Sequence, residues 1–466
     1  MDKNGPLHIA MLPWLAMGHL LPFFELSKRL ALHGHHISFI STPRNLQRLP
    51  TLPPHLSPLI SFIPLPLPFI EHLPPTAEAT VDLPSDDLRP LLRKAFDSFH
   101  LSLPSLLRPT PPHWLLFDYA AHWAPSLAAD LGIPSAFIGL HNSAALSFFG
   151  PPSALHGDAS RSSPDDFTIV PNWIPFPSTI SYRPFEAREL FNPGVLPDDS
   201  GVSESYRYFR SISDCRFVAV RSCNEFESEW LDLLPNLYNK PVIPFGLLPP
   251  LRDPQIDCAV PFHLIQWLDN QAPKSVVYVA FGSEVKLSRE RVHEIALGLE
   301  LSKLPFFWAL RAPEGWLPEG FERRNEGQGL VLSGWAPQVS VLGHGAIGGF
   351  LSHGGWGSIV EGLRFGVAMV LLPLVFDQGL NARNLVAKGI GVEIARNEED
   401  GSFSGDDVSR CLRLVMVDDE GECFRKNARE WSQVFGDVDL HDRYVRGFIR
   451  FLWDNRNNID EASSSS

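Results

Sequence analysis

Apolar residues follow two alternating registers along this chain. Short continuous apolar runs, each the length of one buried strand, are followed by segments in which apolar residues return every three or four positions, the helical period. The first case is LHIAMLPWL at 7–15, which turns at Gly18 into PFFELSKRLALHG, apolar at helical spacing as far as Gly34. HHISFIST at 35–42, HWLLFD at 113–118 and SAFIGL at 135–140 read as further strands, the last two separated by the helical AAHWAPSLAADLG. The same grammar restarts with SVVYVAFGS at 275–283, a helix through RERVHEIALGLELS and the strand FFWALR at 306–311. GLVLSGW, AIGGFLSH, a helix from about 358, AMVLLPL and GVEIA follow. Apolar strands alternating with helices predict parallel sheets covered on both faces, hence an α/β fold of two doubly wound domains.

PVIPFGLLPPLRDPQIDCAVPF is Pro-rich and breaks both registers, which places a linker at 245–261 between domains at 1–244 and 262–440. HDRYVRGFIRFLW returns to helical spacing, giving a last helix over 441–455, and the polar end over 456–466 reads as a disordered tail. Three stretches predict no element: SFIPLPLPFIEHLPP at 61–75, RPTPPH at 108–113, and the Pro-, Ser- and Asp-rich region at 150–200.

Composition narrows the function. The 466 residues include 44% hydrophobic and 20% charged ones, as in an ordinary globular enzyme, and two domains suit that length. A net charge of −14 without clustered Lys and Arg excludes nucleic acid as the partner, so any anionic ligand is bound locally. The N-terminus carries no basic region followed by an apolar run and cleavage site, and no uncharged apolar stretch reaches 18 residues, so a cytoplasmic protein without a membrane span is expected. Cysteines at 215, 223, 258, 411 and 423 form no CxxC pair and read as free thiols, providing no metal site. A monomer is the default.

The chemistry concentrates in His353-Gly354-Gly355-Trp356-Gly357-Ser358, which follows a strand and opens a helix. Unpaired amides at a helix start, with the positive end of its dipole, suit a phosphate; the glycines allow close approach, and Ser358 and His353 add donors. Taken alone, the hexad reads equally well as a ligand-free turn. Trp335 offers a face for stacking a base, although a lone Trp is more often core. Glu361, one turn into the helix, can accept both hydroxyls of a ribose or simply be solvated. Asp377 and Gln378 end the run VAMVLLPLVF, at the sheet edge where open α/β folds bind ligands, and suit sugar hydroxyls.

His19 follows the first strand, at the same kind of edge, and its imidazole can take a proton from an attacking hydroxyl near neutral pH. Asp118 ends another strand of that domain, where it can orient the ring and stabilise the imidazolium.

The interval from Trp335 to Gln378, 44 residues long, resembles the signature box of plant UDP-dependent family 1 glycosyltransferases in its WAPQ, His344, GGFLSH, Gly355-Trp356, Ser358, Glu361 and final Asp377-Gln378. PWLAMGHLLP and SVVYVAFGSE extend the likeness over most of both domains. The resemblance implies a GT-B fold and an inverting reaction without a metal, with a UDP-sugar as co-substrate rather than a resident cofactor. It implies that Trp335 stacks on uracil and Ala336 contacts it through backbone, that Gln338 and Glu361 hold the ribose, that Ser283, His353 and Ser358 bind the diphosphate, and that Trp356, Asp377 and Gln378 contact the sugar. It assigns His19 and Asp118 the roles of base and base partner. The last helix is expected to pack back on the first domain. Gly354, Gly357 and Leu372 depart from the family's usual Cys, Asn and Trp, and losing the Asn removes a donor next to the phosphates. The GWGS and LLP variants and DQGLNAR look like the branch-forming clade, which adds glucose or rhamnose to a sugar of a terpenoid or flavonoid glycoside.

The expected reaction is therefore transfer of a sugar, glucose foremost and rhamnose as the alternative, to a hydroxyl of a small plant glycoside. Trp14, His141, Asn142 and Ser143, at strand ends, are candidates for the acceptor lining, with a structural role the leading alternative for His141. A nicotinamide oxidoreductase would need GxGxxG after the first strand, which PWLAMGHLLP lacks, and a serine hydrolase would need a GxSxG elbow. A non-catalytic sugar-nucleotide-binding protein would have no use for His19 and Asp118.

Overall fold

The computed structural model describes residues 5–157, 161–250 and 262–456. Two all-parallel sheets organise it. In the first, β1 (His8–Leu12), β2 (His36–Ser41), β3 (Ile60–Pro64), β4 (Trp114–Phe117), β5 (Ser135–Gly139), β6 (Phe217–Val220) and β7 (Val242–Pro244) stand in the order β3-β2-β1-β4-β5-β6-β7. In the second, β8 (Val276–Ala280), β9 (Phe306–Leu310), β10 (Gly329–Ser333), β11 (Ile347–Ser352), β12 (Ala368–Leu371) and β13 (Gly391–Glu393) stand in the order β10-β9-β8-β11-β12-β13. The central strands β1, β4, β5, β8 and β11 are buried almost throughout, as expected of apolar runs covered by helices on both faces.

β3 runs into the Pro-rich stretch for which no element is expected. It is the edge strand, paired only with β2, and ends on Pro64. An edge needs hydrogen bonds on one side only, so it tolerates the prolines that hide the strand from a pattern search. The region at 150–200 likewise holds the helix Pro184–Val195.

Each sheet has one switch point, where the strand order reverses and the following loops diverge to leave a crevice at the carboxyl ends. In the first sheet it lies between β1 and β4, in the second between β8 and β11. Asp118, Ser283 and His353 lie in the loops that leave β4, β8 and β11, and His19 in the helix that follows β1.

The last helix, Val438–Asp454, belongs to the second half of the sequence but packs on the first domain. Val445, Phe448, Ile449 and Leu452 are buried in the same core cluster as Ile9, Phe23 and Trp114, and Trp114 Nε1 donates to the Leu452 carbonyl at 2.9 Å. Of the linker expected at 245–261, residues 251–261 lie outside the described residues, as does the tail expected at 456–466 beyond Arg456. Cys215, Cys223, Cys411 and Cys423 are unpaired thiols, and Cys258 lies outside the described residues. Among the described residues no helix is long and apolar enough to cross a membrane.

Candidate active site

At the first switch point, the helix Met17–Leu32 follows β1 after the turn at 13–16 and carries His19 in its first turn. Asp118 follows β4, with its side chain almost fully buried. His19 Nδ1 donates to Asp118 Oδ2 at 2.7 Å. The carboxylate is held in turn by two backbone amides, Trp14 N–H on Oδ2 (3.2 Å) and Tyr119 N–H on Oδ1 (2.7 Å). Burial disfavours protonation of His19, but the charge and hydrogen bond of Asp118, helped by Glu284 and Asp377, raise its pKa above the usual histidine value. With Nδ1 committed to Asp118, Nε2 is the free basic atom, and the ring is about one-fifth exposed (20%).

At the second switch point the helix Trp356–Arg364 starts without a side-chain cap: Gly355 occupies the N-cap and no acidic residue lies in the first turn. Its first amides remain open to an anion. The His353 ring lies against Gly282 and Gly355. A Cβ at Gly282 would come within 2.7 Å of its ring and one at Gly355 within 2.6 Å, so both positions need glycine. Burial lowers the His353 pKa to about 4, and a neutral ring therefore donates from one nitrogen only. Ser283 follows Gly282 in the β8 loop, its Oγ 3.4 Å from Glu284.

One turn along, three of the predicted nucleotide residues meet. Gln338 Nε2 donates to Glu361 Oε2 at 2.7 Å and to Ser358 Oγ at 3.2 Å, and the Tyr278 hydroxyl donates to Gln338 Oε1. Burial raises the Glu361 pKa, partly offset by Gln338, Arg221 and Arg364. Trp335 is 73% exposed, whereas the adjoining Ala336 is buried.

Asp377 and Gln378 stand at the start of the helix Gln378–Ala387. Asp377 Oδ2 accepts from Asn381 Nδ2 (2.9 Å) and pairs with His141 Nδ1 (3.0 Å). Burial opposes its ionisation, yet His141 and Asn381 outweigh it and lower its pKa. Gln378 Oε1 accepts from the amides of Leu374 and Val375, so only its NH2 remains to donate to a ligand.

Four placements correct the sequence reading. The Trp356 ring is 4% exposed, stacks on Phe226 and donates from Nε1 to the Arg221 carbonyl, so it is a packing residue and only its backbone is left for a sugar. Trp14 is 1% exposed, edge-on to Phe96, because the β1 loop turns inward there. Asn142 caps the helix Ser143–Phe149 through the Ala145 amide and donates to Asn381 Oδ1. Ser143 is buried, with its amide on Glu227. Trp14, Asn142 and Ser143 therefore line no open acceptor surface. His141 is a bridge, with Nε2 2.6 Å from the Tyr208 hydroxyl and Nδ1 on Asp377.

Several further residues have no role assigned from the sequence. Asn381, fully buried, ties together Gly354, Asp377 and Asn142. Glu284 accepts from Thr80 at 2.8 Å and Arg89 at 3.3 Å across the two domains. Tyr119 stacks on Tyr208 beside His19. Glu284 ends SVVYVAFGSE and Asn381 lies in DQGLNAR, so both stand in stretches that carry the resemblance, but neither side chain is assigned a role there. Among the described residues no group of three or more His, Cys, Asp or Glu side chains is arranged to hold a metal ion.

Two doubly wound domains, one presenting an imidazole–carboxylate pair and the other an open helix terminus at its own switch point, define a GT-B fold. Comparison with known proteins agrees. The family described as UDP-glucoronosyl and UDP-glucosyl transferase matches residues 254–446. UDP-glycosyltransferase 91C1 of Arabidopsis thaliana is 49% identical over 97% of this chain and 97% of its own length. Soyasaponin III rhamnosyltransferase of Glycine max is 44% identical over 97% of this chain and 96% of its own. The crystal structure of Medicago truncatula UGT71G1 complexed with UDP-glucose superposes with a TM-score of 0.76 at 25% identity, covering 97% of this chain and 99% of that one. The chain belongs to the UDP-glucoronosyl and UDP-glucosyl transferase family and is a plant family 1 UDP-glycosyltransferase.

Proposed function

We propose that the chain transfers glucose from UDP-glucose, with inversion, to a sugar hydroxyl of a terpenoid, steroid or flavonoid glycoside. The observation that carries the mechanism is the 2.7 Å bond from His19 to Asp118. Because Nδ1 donates to the carboxylate, Nε2 takes the proton of the acceptor hydroxyl as its oxygen bonds to the anomeric carbon; the bond from that carbon to the UDP oxygen breaks on the opposite face. Asp118 stays ionised and stabilises the imidazolium. The leaving diphosphate gains its negative charge at the amides of the Trp356–Arg364 helix, with Ser283, His353 and Ser358 as side-chain donors. Trp335 stacks on uracil beside the Ala336 backbone, Gln338 and Glu361 hold the ribose, and Asp377, the Gln378 amide and the Trp356 backbone meet the sugar.

A glycoside acceptor is favoured by the likeness to the soyasaponin III rhamnosyltransferase, since a saponin already carries sugar. The same relative supports UDP-rhamnose as the alternative donor. Glucose is preferred because Gln378, fixed by two backbone amides, presents its NH2 as a hydroxyl donor. Incubating the protein with UDP-glucose or UDP-rhamnose and matched aglycones and monoglycosides, with products read by mass spectrometry, tests both choices. Hexose addition to monoglycosides is expected; addition only to aglycones would reject branch formation, and deoxyhexose addition would replace the donor.

A further inference from the structure

Arg221 stands just past β6 in the first domain, a buried cation. It is 4% exposed. Its Nε donates to the Leu247 carbonyl at 2.7 Å and its Nη2 to the Leu248 carbonyl at 3.4 Å. No carboxylate among the described residues forms an ion pair with it, and Nη1 donates to none of the described residues. Burial lowers its pKa to about 10, with Glu361 and Glu25 opposing only in part, so the group is charged at neutral pH in a poorly solvated place.

What Nη1 faces explains why that charge is kept. A Cβ built on Gly357 would have one heavy atom within 4 Å, Arg221 Nη1 at 3.8 Å. Gly357 is the second residue of the nine-residue helix Trp356–Arg364, whose uncapped N-terminal turn is the phosphate cradle. A guanidinium beside a helix N-terminus puts two positive ends together, which is unfavourable unless an anion sits between them. The absence of a side chain at Gly357 leaves the space for it. The contact is fixed from the other direction as well, since Trp356 Nε1 donates to the Arg221 carbonyl at 3.0 Å.

We propose that Arg221 is a diphosphate-binding residue, reaching from the first domain to a phosphate oxygen held on the first turn of the Trp356–Arg364 helix. This rests on the reading of that turn as the UDP cradle. It supplies the donor that Gly357 cannot, and it makes the diphosphate site a joint product of both domains, complete only when they are closed on each other. Its partners are phosphate oxygens, so its contribution is confined to ligands that carry them.

Calorimetric titration of Arg221→Gln with UDP and with uridine tests this. The variant should lose about 10- to 100-fold in affinity for UDP and little for uridine, as a buried charged hydrogen bond implies. UDP binding within twofold of wild type, or an equal loss for uridine, would overturn the proposal. Should the variant not fold, a crystal structure of the wild-type protein with UDP decides: Nη1 on a diphosphate oxygen, directly or through one water, supports it, and a larger separation overturns it. Wild-type protein that binds no UDP at all would strike the cradle reading instead, so the two failures are distinct.

Discussion

His141 Nδ1 lies 3.0 Å from Asp377 Oδ2, and the same imidazole meets the Tyr208 hydroxyl at 2.6 Å through Nε2. His141 leaves β5 in the first domain and Asp377 follows β12 in the second, so one ring sets the position of a proposed sugar-binding carboxylate from across the cleft. Asn142 repeats the connection one residue later, through Asn381, which is also bonded to Asp377.

His141→Ala should therefore act on the donor sugar. Asp377 loses a charged hydrogen bond and its fixed rotamer, and kcat/KM for the UDP-sugar is expected to fall about tenfold or more, while affinity for UDP, which lacks the sugar, stays near wild type. Steady-state kinetics beside UDP titration separate the two; equal losses for both ligands would refute a sugar-directed role.

The pH dependence follows from His19. Its folded pKa is raised, chiefly by Asp118 acting against burial, and the base works only when deprotonated, so kcat/KM should rise with pH through a value above about 6.5. Asp118→Asn removes the charge that raises it; the limb should move to lower pH while the plateau falls by about 10²- to 10⁴-fold as tautomer and orientation are lost. His19→Ala should abolish transfer and leave UDP binding intact. A pH–rate profile of Asp118→Asn superimposable on wild type would exclude the pairing.

Trp335→Ala is expected to leave the melting temperature unchanged, because the ring is 73% exposed and supports little packing. Affinity for UDP should fall by about 1–3 kcal/mol if the ring stacks on uracil. Calorimetry with UDP reads this directly, and an unchanged Kd would remove the tryptophan from the site.

Gly282→Ala should damage both stability and binding. The residue has φ +69° and its added Cβ would stand 2.7 Å from the His353 ring. A cost of about 1–3 kcal/mol in stability is expected, and weaker UDP binding as the imidazole is displaced. Thermal melts with and without UDP check it: the ligand-induced shift should shrink, and a full shift would mean His353 does not contact the diphosphate.

The sequence by itself determined the alternation of strands and helices, the two-domain division and the chemical character of the loops, because these depend on local periodicity and on residue types near one another in the chain. His19 after β1 and His353 after β11 were legible for that reason. The edge strand Ile60–Pro64 was not, since its proline, like those that follow it, is acceptable only beside an edge that strand order defines. Only the tertiary structure decided which way side chains turn at the carboxyl ends of the strands. The Trp356 ring packs against Phe226 and leaves only its backbone for the proposed sugar site, while Arg221, 136 positions from Gly357 in the sequence, arrives beside that glycine. Such outcomes depend on how two sheets are docked and on which buried charges find partners. Both are long-range properties of the packed chain, and periodicity carries no record of them.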